Sequence, residues 1–145
     1  MGYDHKYACS HLGYSLKTAD LQAAVGAAQM EKPPEFVARR RENWAFLRRA
    51  LESLQGRPLF PEPNPERKPS WFGFFMTVRP ERPVSRDELV SHLEAHNVQT
   101  RPIFAGTLAV TDRVMNSRFW AGVYPGMERG MLEEIAGRIT EKAGS

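Results

Sequence analysis

Leu21, Ala24, Val25 and Ala28 recur at i, i+3, i+4 and i+7, the spacing of one apolar stripe on a helix. Thr18 stands ahead of the stripe as an N-cap, and Asp20 falls in the first turn. Pro33-Pro34 ends this helix and opens the next, because proline fits a first helical turn but not an interior. Val37, Trp44, Leu47, Leu51 and Leu54 form the second stripe, and Gly56 is a natural stop. The pattern predicts a helical pair over residues 18–56. Ala23, Ala24, Gly26, Ala27 and Ala28 would let another backbone approach the first helix closely.

Downstream the period changes. "PLFPEPNPERKPS" is proline-rich and reads as an exposed connection. "SWFGFFMTV" (Ser70–Val78) is aromatic and β-branched and predicts a strand. Ser85 followed by Glu88 is a capping-box pattern, opening a helix through Leu89, Val90 and Leu93 that Asn97 closes. Val98–Ile103 predicts a second strand and "RFWAGVYP" a third. Gly126–Lys142 predicts a last helix with Met131, Leu132, Ile135 and Ile139 on one face. The order predicts an α+β fold: two helices, then a short sheet covered by helices. Three stretches follow: an irregular segment over 1–17, the helical pair over 18–56 and a small α+β domain over 57–145.

The 145 residues, 41% hydrophobic and 26% charged, suit an ordinary globular chain. No apolar run approaches the ~18 residues of a membrane span, and Met1–Tyr7 lacks the apolar core of a signal peptide. Cys9 is the lone cysteine, which excludes an intrachain disulfide and a cysteine metal cluster. The cytoplasm is the expected compartment. The net charge of +3 could suit nucleic acid. However, Arg39–Arg41 and Arg48–Arg49 lie near Glu35, Glu42 and Glu52, as on a solvated, salt-bridged helix face. A diproline turn also ill suits a DNA-reading helix pair. Neither a nucleic-acid nor a membrane partner is expected.

Catalytic signatures are sparse. There is no Gly-rich phosphate loop, no G-x-S-x-G and no H-E-x-x-H. His92 and His96 stand four apart on one helix, but without a third ligand nearby they read as surface histidines, and no metal site is expected. Cys9 has no activating partner and reads as inert. No catalytic residue is assigned.

Longer segments carry a resemblance. From Gly13 to Arg41 the chain is similar to the DegT/StrS-type sugar aminotransferase superfamily, in which a G-Y-N-x-(R/K) loop precedes D/E-L-Q-A-A-x-G and an arginine-rich helix. "YDHKY", "SHLGY", "SWFGF", "TRPIFAG", "TDRVMNSRFW" and "GVYPGM" resemble, in order, the CDP-4-keto-6-deoxy-D-glucose-3-dehydratase branch of lipopolysaccharide biosynthesis. The resemblance implies fold type I, with residues 57–145 its truncated small C-terminal domain. It implies pyridoxal or pyridoxamine phosphate as cofactor, a nucleotide-sugar substrate, dehydration at C3 and a homodimer.

The same resemblance marks departures. The family's catalytic histidine, pyridine-nitrogen aspartate and [2Fe-2S] cluster cysteines have no counterpart here. The chain is therefore expected to be inactive alone, with a separate N-terminal chain as one route to a complete site. The alternative is a non-catalytic binding or dimerisation module. Tyr14, Ser15 and Lys17 match the loop that approaches the cofactor phosphate of a partner subunit, with Ser15 in place of asparagine. Phe72, Arg101 and Phe104 match positions facing the substrate cavity. Thr107 replaces another asparagine, and a stretch between Leu108 and Thr111 is shortened.

Overall fold

The computed structural model describes residues 18–54, 58–79, 84–103, 114 and 116–144. Two compact units divide the chain, Met1–Pro33 and Pro34–Ser145.

In the first unit, α1 spans Asp20–Gln29. Its N-cap is Ala19, one residue later than the expected Thr18. The reason is Gln22, whose Oε1 accepts a hydrogen bond from the Ala19 N–H at 3.1 Å, the reach-back half of a capping box. A cap at Thr18 would put Leu21 there instead, with no acceptor. Met30 N–H closes the helix on Gly26 and Ala27 carbonyls before the diproline. No residue of α1 is buried, and Leu21 is 78% exposed.

The second unit has one core. α2 (Pro33–Ala50) buries Asn43, Trp44 and Leu47, and a 3₁₀ turn over Glu52–Leu54 continues the stripe through Leu51 and Leu54. The strands are β1 (Pro58–Leu59), β2 (Gly73–Val78), β3 (Thr100–Pro102) and β4 (Arg118–Gly122), with α3 (Arg86–Ala95) after β2 and α4 (Arg129–Gly144) last. They form one antiparallel sheet in the order β1-β2-β4-β3.

β1 lies in the stretch expected to be an exposed connection. Pro58 can serve there because an edge strand need not donate from every residue, and Phe60 just beyond it is buried. α3 starts as expected: Ser85 Oγ accepts from the Glu88 N–H at 3.2 Å, while Glu88 Oε2 accepts from the Ser85 N–H at 2.8 Å. Asn97, at φ 61°, turns the chain out of it.

One face of the sheet is inside. Phe74, Met76 and Val78 alternate on β2, and Phe119, Ala121 and Val123 run along and just past β4. They join Trp44, Leu47 and Leu51 of the α2 segment, Leu89 and Leu93 of α3, and Leu132, Ile135 and Ile139 of α4 in one hydrophobic cluster. Met131, expected on the buried face of the last helix, is instead 49% exposed, one position off that stripe. The described residues include no helix long and apolar enough to cross a membrane.

Candidate functional site

The other face of the sheet carries the described candidate residues. Its geometry begins at Trp71. Strict alternation would put Trp71 with Gly73 and Phe75 on the outer face, and Phe72 with Phe74 inside. Trp71 has φ 51°, a conformation costing on the order of 1–3 kcal/mol for a bulky residue. Its ring goes inward and stacks on Trp44, centroids 4.2 Å apart and planes 5° from parallel. Phe72 is consequently turned outward and is 62% exposed. Arg41 of α2 helps hold this segment, its Nε donating to Pro69 O at 2.9 Å and its Nη2 to Lys68 O at 2.6 Å. The arginine run expected to be only a solvated face thus includes a clamp.

Beside Phe72 lies Trp120 of β4, ring centroids 4.6 Å apart. Phe75 lies near it as well, ring centroids 6.1 Å apart. Gly73 leaves room for the indole: a methyl group there would stand 2.5 Å from Trp120 Cε3. The indole therefore lies over the β2 backbone. Register pairs Trp120 with Phe75 on one side and with Arg101 of β3 on the other. Directly opposed residues share a face, so Phe75, Trp120 and Arg101 form a row across three strands. Arg118, two residues before Trp120, occupies the same face. Arg101 and Arg118 make no ion pair or side-chain hydrogen bond among the described residues. No described strand residue is acidic. The face can offer stacking and two charge-assisted donors to an anion.

The structure thus brings Phe72 and Arg101 to one face, bridged by Trp120. Tyr14, Ser15, Lys17 and Phe104 lie outside the described residues, as do Cys9, Thr107 and the shortened Leu108–Thr111 stretch. Trp120, Phe75, Gly73 and Arg118 were missed in the sequence. A signal existed, since Trp120 alternates with Phe119 and Ala121, but strand pairing was needed to put it beside Phe72.

The histidines differ from expectation too. His92 is not a surface side chain: only 17% of it is exposed. Its Nε2 lies 3.6 Å from Glu141 Oε2 of α4, and its ring lies 4.5 Å from that of His96. The packing of α3 on α4 covers it. Arg138, bonded to Glu141, holds that carboxyl below its ordinary pKa, with smaller help from the two histidines. Among the described residues no group of three or more His, Cys, Asp or Glu could hold a metal ion.

An antiparallel sheet backed on one face by helices, after two helices in sequence, is a fold shared with solved structures of fold-type I enzymes. An aminotransferase TlmJ from Streptoalloteichus hindustanus superposes with TM-score 0.84 at 19% identity over 94% of this chain and 40% of that one. A GDP-4-keto-6-deoxymannose-3-dehydratase with a trapped PLP-glutamate geminal diamine gives 0.81 at 17% identity over 94% and 39%.

The chain belongs to the DegT/DnrJ/EryC1/StrS aminotransferase family, whose profile matches residues 1–140. It is 40% identical, over 97% of its length, to the lipopolysaccharide biosynthesis protein RfbH of Salmonella typhimurium, covering 36% of that protein. It is also 40% identical, over 97% of its length, to a dTDP-4-dehydro-2,6-dideoxy-D-glucose 3-dehydratase of Saccharopolyspora spinosa, covering 34% of it. The chain spans about a third of the length of these curated relatives. Both alignments run over 157 positions, more than the chain's 145 residues, so both relatives carry insertions relative to it.

Proposed function

We propose that this stretch of chain is the small-domain portion of a pyridoxal- or pyridoxamine-phosphate-dependent nucleotide-sugar 3-dehydratase. It would serve deoxysugar and O-antigen (lipopolysaccharide) synthesis in the cytoplasm and would not catalyse alone. The observation that carries this reading is 40% identity across 97% of the chain to a protein named for lipopolysaccharide biosynthesis and to a sugar 3-dehydratase. In this reading residues 1–17 are the cofactor-approaching loop, 18–56 the helical pair and 57–145 the small domain. Tyr14, Ser15 and Lys17 approach the cofactor phosphate across a homodimer. Phe72, Arg101 and Phe104 face the sugar.

The described residues do not by themselves fit the cofactor. A pyridine nitrogen calls for a carboxylate partner, and the outer face of the sheet carries aromatic rings and guanidinium groups with no acidic strand residue among the described residues. No chemical step is assigned through the cofactor here. Titrating the chain alone with pyridoxamine phosphate, followed by absorbance, tests the reading. Weak, non-saturating binding is expected. A stoichiometric, saturable complex contradicts it.

One observation favours a second reading, the non-catalytic binding or dimerisation module. α1 exposes Leu21 at 78% and Val25 at 57%, and its C-cap Met30 is 74% exposed. Sedimentation of the chain alone separates the two: a soluble, discrete dimer supports the module, whereas aggregation relieved by a complementary chain supports the dehydratase portion.

A further inference from the structure

We propose that the cleft between α2 and the start of α4 binds an acidic segment of another polypeptide. Arg39, Asn43, Phe46 and Arg49 are spaced four, three and three apart, which puts them on one face of α2. Met127, Arg129 and Leu132 form the opposite wall, and the cleft measures about 440 Å³. Asn43 fixes the two walls. It is 3% exposed, and its Nδ2 donates to Tyr124 O at 2.9 Å. The Met127 N–H donates to the same carbonyl at 3.3 Å. A buried polar link therefore ties α2 to the chain leading into α4.

The floor is apolar and the rim is cationic. Met127 and Leu132 are each 3% exposed, and Phe46 is half-buried against the core. The Arg129 guanidinium lies over the Phe46 ring, 3.8 Å from its centroid. Arg39 and Arg49 stand about 15 Å apart along the helix, with Phe46 between them. Among the described lining residues, three guanidinium groups face one carboxylate, that of Glu42. The Arg39–Glu42 contact is long at 3.4 Å, with the two side chains 52% and 66% exposed. Arg129 uses its Nε on Glu133 and stays 68% exposed. Arg49 makes no ion pair or side-chain hydrogen bond among the described residues.

Charge and shape together select the occupant. An apolar surface docked here would bury the Arg49 guanidinium uncompensated, which is costly. Carboxylates match the guanidinium fork, and the apolar side chains of a peptide cover Phe46 and Leu132. Two acidic residues four or five apart in extended chain span about 13–17 Å, the reach from Arg39 to Arg49. A nucleic-acid strand suits the cleft less well. Single strands are held largely by base stacking, and the Phe46 ring is half-buried and already carries Arg129. The inference goes beyond the dehydratase reading and does not depend on it.

Fluorescence anisotropy of a labelled peptide containing Glu-Leu-Ala-Leu-Glu, titrated with the 145-residue chain, tests the proposal. The peptide should bind saturably and more weakly as salt rises, and its lysine-for-glutamate counterpart should not bind. Arg49→Gln should weaken binding about three- to fivefold, and Arg49→Gln combined with Arg129→Gln about tenfold or more. Arg67→Gln removes the same charge from an exposed position outside the cleft and should change nothing. If the double variant fails to fold by circular dichroism, Arg49→Gln alone decides, since that side chain has no partner among the described residues. The proposal is overturned if the acidic peptide does not saturate, if the lysine peptide binds as tightly, or if Arg67→Gln weakens binding as much as Arg49→Gln. An oligouridylate strand binding about tenfold tighter than the peptide overturns it in favour of single-stranded nucleic acid.

Discussion

Gly73→Ala is the sharpest probe of the aromatic face, because Gly122 directly opposite it supplies a matched control. Both glycines sit in paired strands, and neither has the left-handed backbone that itself requires glycine. A Cβ on Gly73 would meet Trp120 Cε3 at 2.5 Å, Cδ2 at 3.1 Å and Ala121 O at 3.2 Å. A Cβ on Gly122 would meet nothing within 4 Å. Non-bonded carbons settle near 3.5–4.0 Å, so the indole must retreat by about 1 Å. Phe72 and Phe75 both lie against it, with centroids 4.6 and 6.1 Å away, so its displacement disturbs their packing.

Overpacking of this kind costs about 1–3 kcal/mol. Removing glycine's extra unfolded-state freedom returns about 0.5–1 kcal/mol. The expected net loss for Gly73→Ala is about 1 kcal/mol, with a fall in Tm of about 4 °C. Gly122→Ala should be neutral or stabilising by about 0.5 kcal/mol. Thermal melts followed by near-ultraviolet circular dichroism measure both the stability and the aromatic packing. If the two alanine variants melt together and keep identical aromatic spectra, the indole does not lie over Gly73 and the reasoning fails.

Trp44→Ala removes a side chain that is 6% exposed and stacked on Trp71; urea denaturation should show a loss of about 3–5 kcal/mol. Arg41→Ala removes both bonds to the Lys68 and Pro69 carbonyls, and hydrogen exchange or limited proteolysis should then report faster opening just before Trp71. Ser85→Ala should cost about 1 kcal/mol in denaturant, the usual worth of an N-cap. Glu88 has its carboxyl pKa lowered, first by the Ser85 backbone N–H and then by its hydroxyl. A depressed folded value means stability that is present above the unfolded pKa and lost as pH falls through the folded one. An acid titration of stability should therefore lose that contribution below the ordinary glutamate range, and Glu88→Gln should flatten this part of the curve.

Much of the second unit was legible because local chemistry and tertiary packing agree there. The stripe Trp44–Leu47–Leu51–Leu54 is the buried face of α2 and its 3₁₀ turn, and Ser85 with Glu88 caps α3 as its spacing required. The misses have physical causes. Alternation places Phe72 inside, and only the positive φ at Trp71 reverses it. Prolines around Leu59 read as a loop because their tolerance at a sheet edge depends on which strand is the edge. Trp120 and Arg101 come from strands whose pairing is set over long sequence separation, so neither pointed to the other in the sequence. His92 looked exposed on a polar helix until α4 was packed across it. Of the candidate residues, Phe72 and Arg101 were named from family resemblance rather than from any periodicity, and the structure brings the two to one face of the sheet.

The central claim, that this stretch corresponds to one portion of a nucleotide-sugar 3-dehydratase, is met most directly by complementation. The chain would be mixed with a separately produced segment of the Salmonella RfbH protein preceding the matched region. Cofactor absorbance and mass spectrometry of the sugar product would then be followed. The account predicts a stoichiometric complex that retains pyridoxamine phosphate and, once a two-electron reductant is supplied, replacement of the C3 hydroxyl of a 4-keto nucleotide-sugar by hydrogen, the oxygen leaving as water with uptake of two electrons and two protons. A chain that stays monomeric and well folded beside that segment, with no cofactor retained and no product, would contradict it.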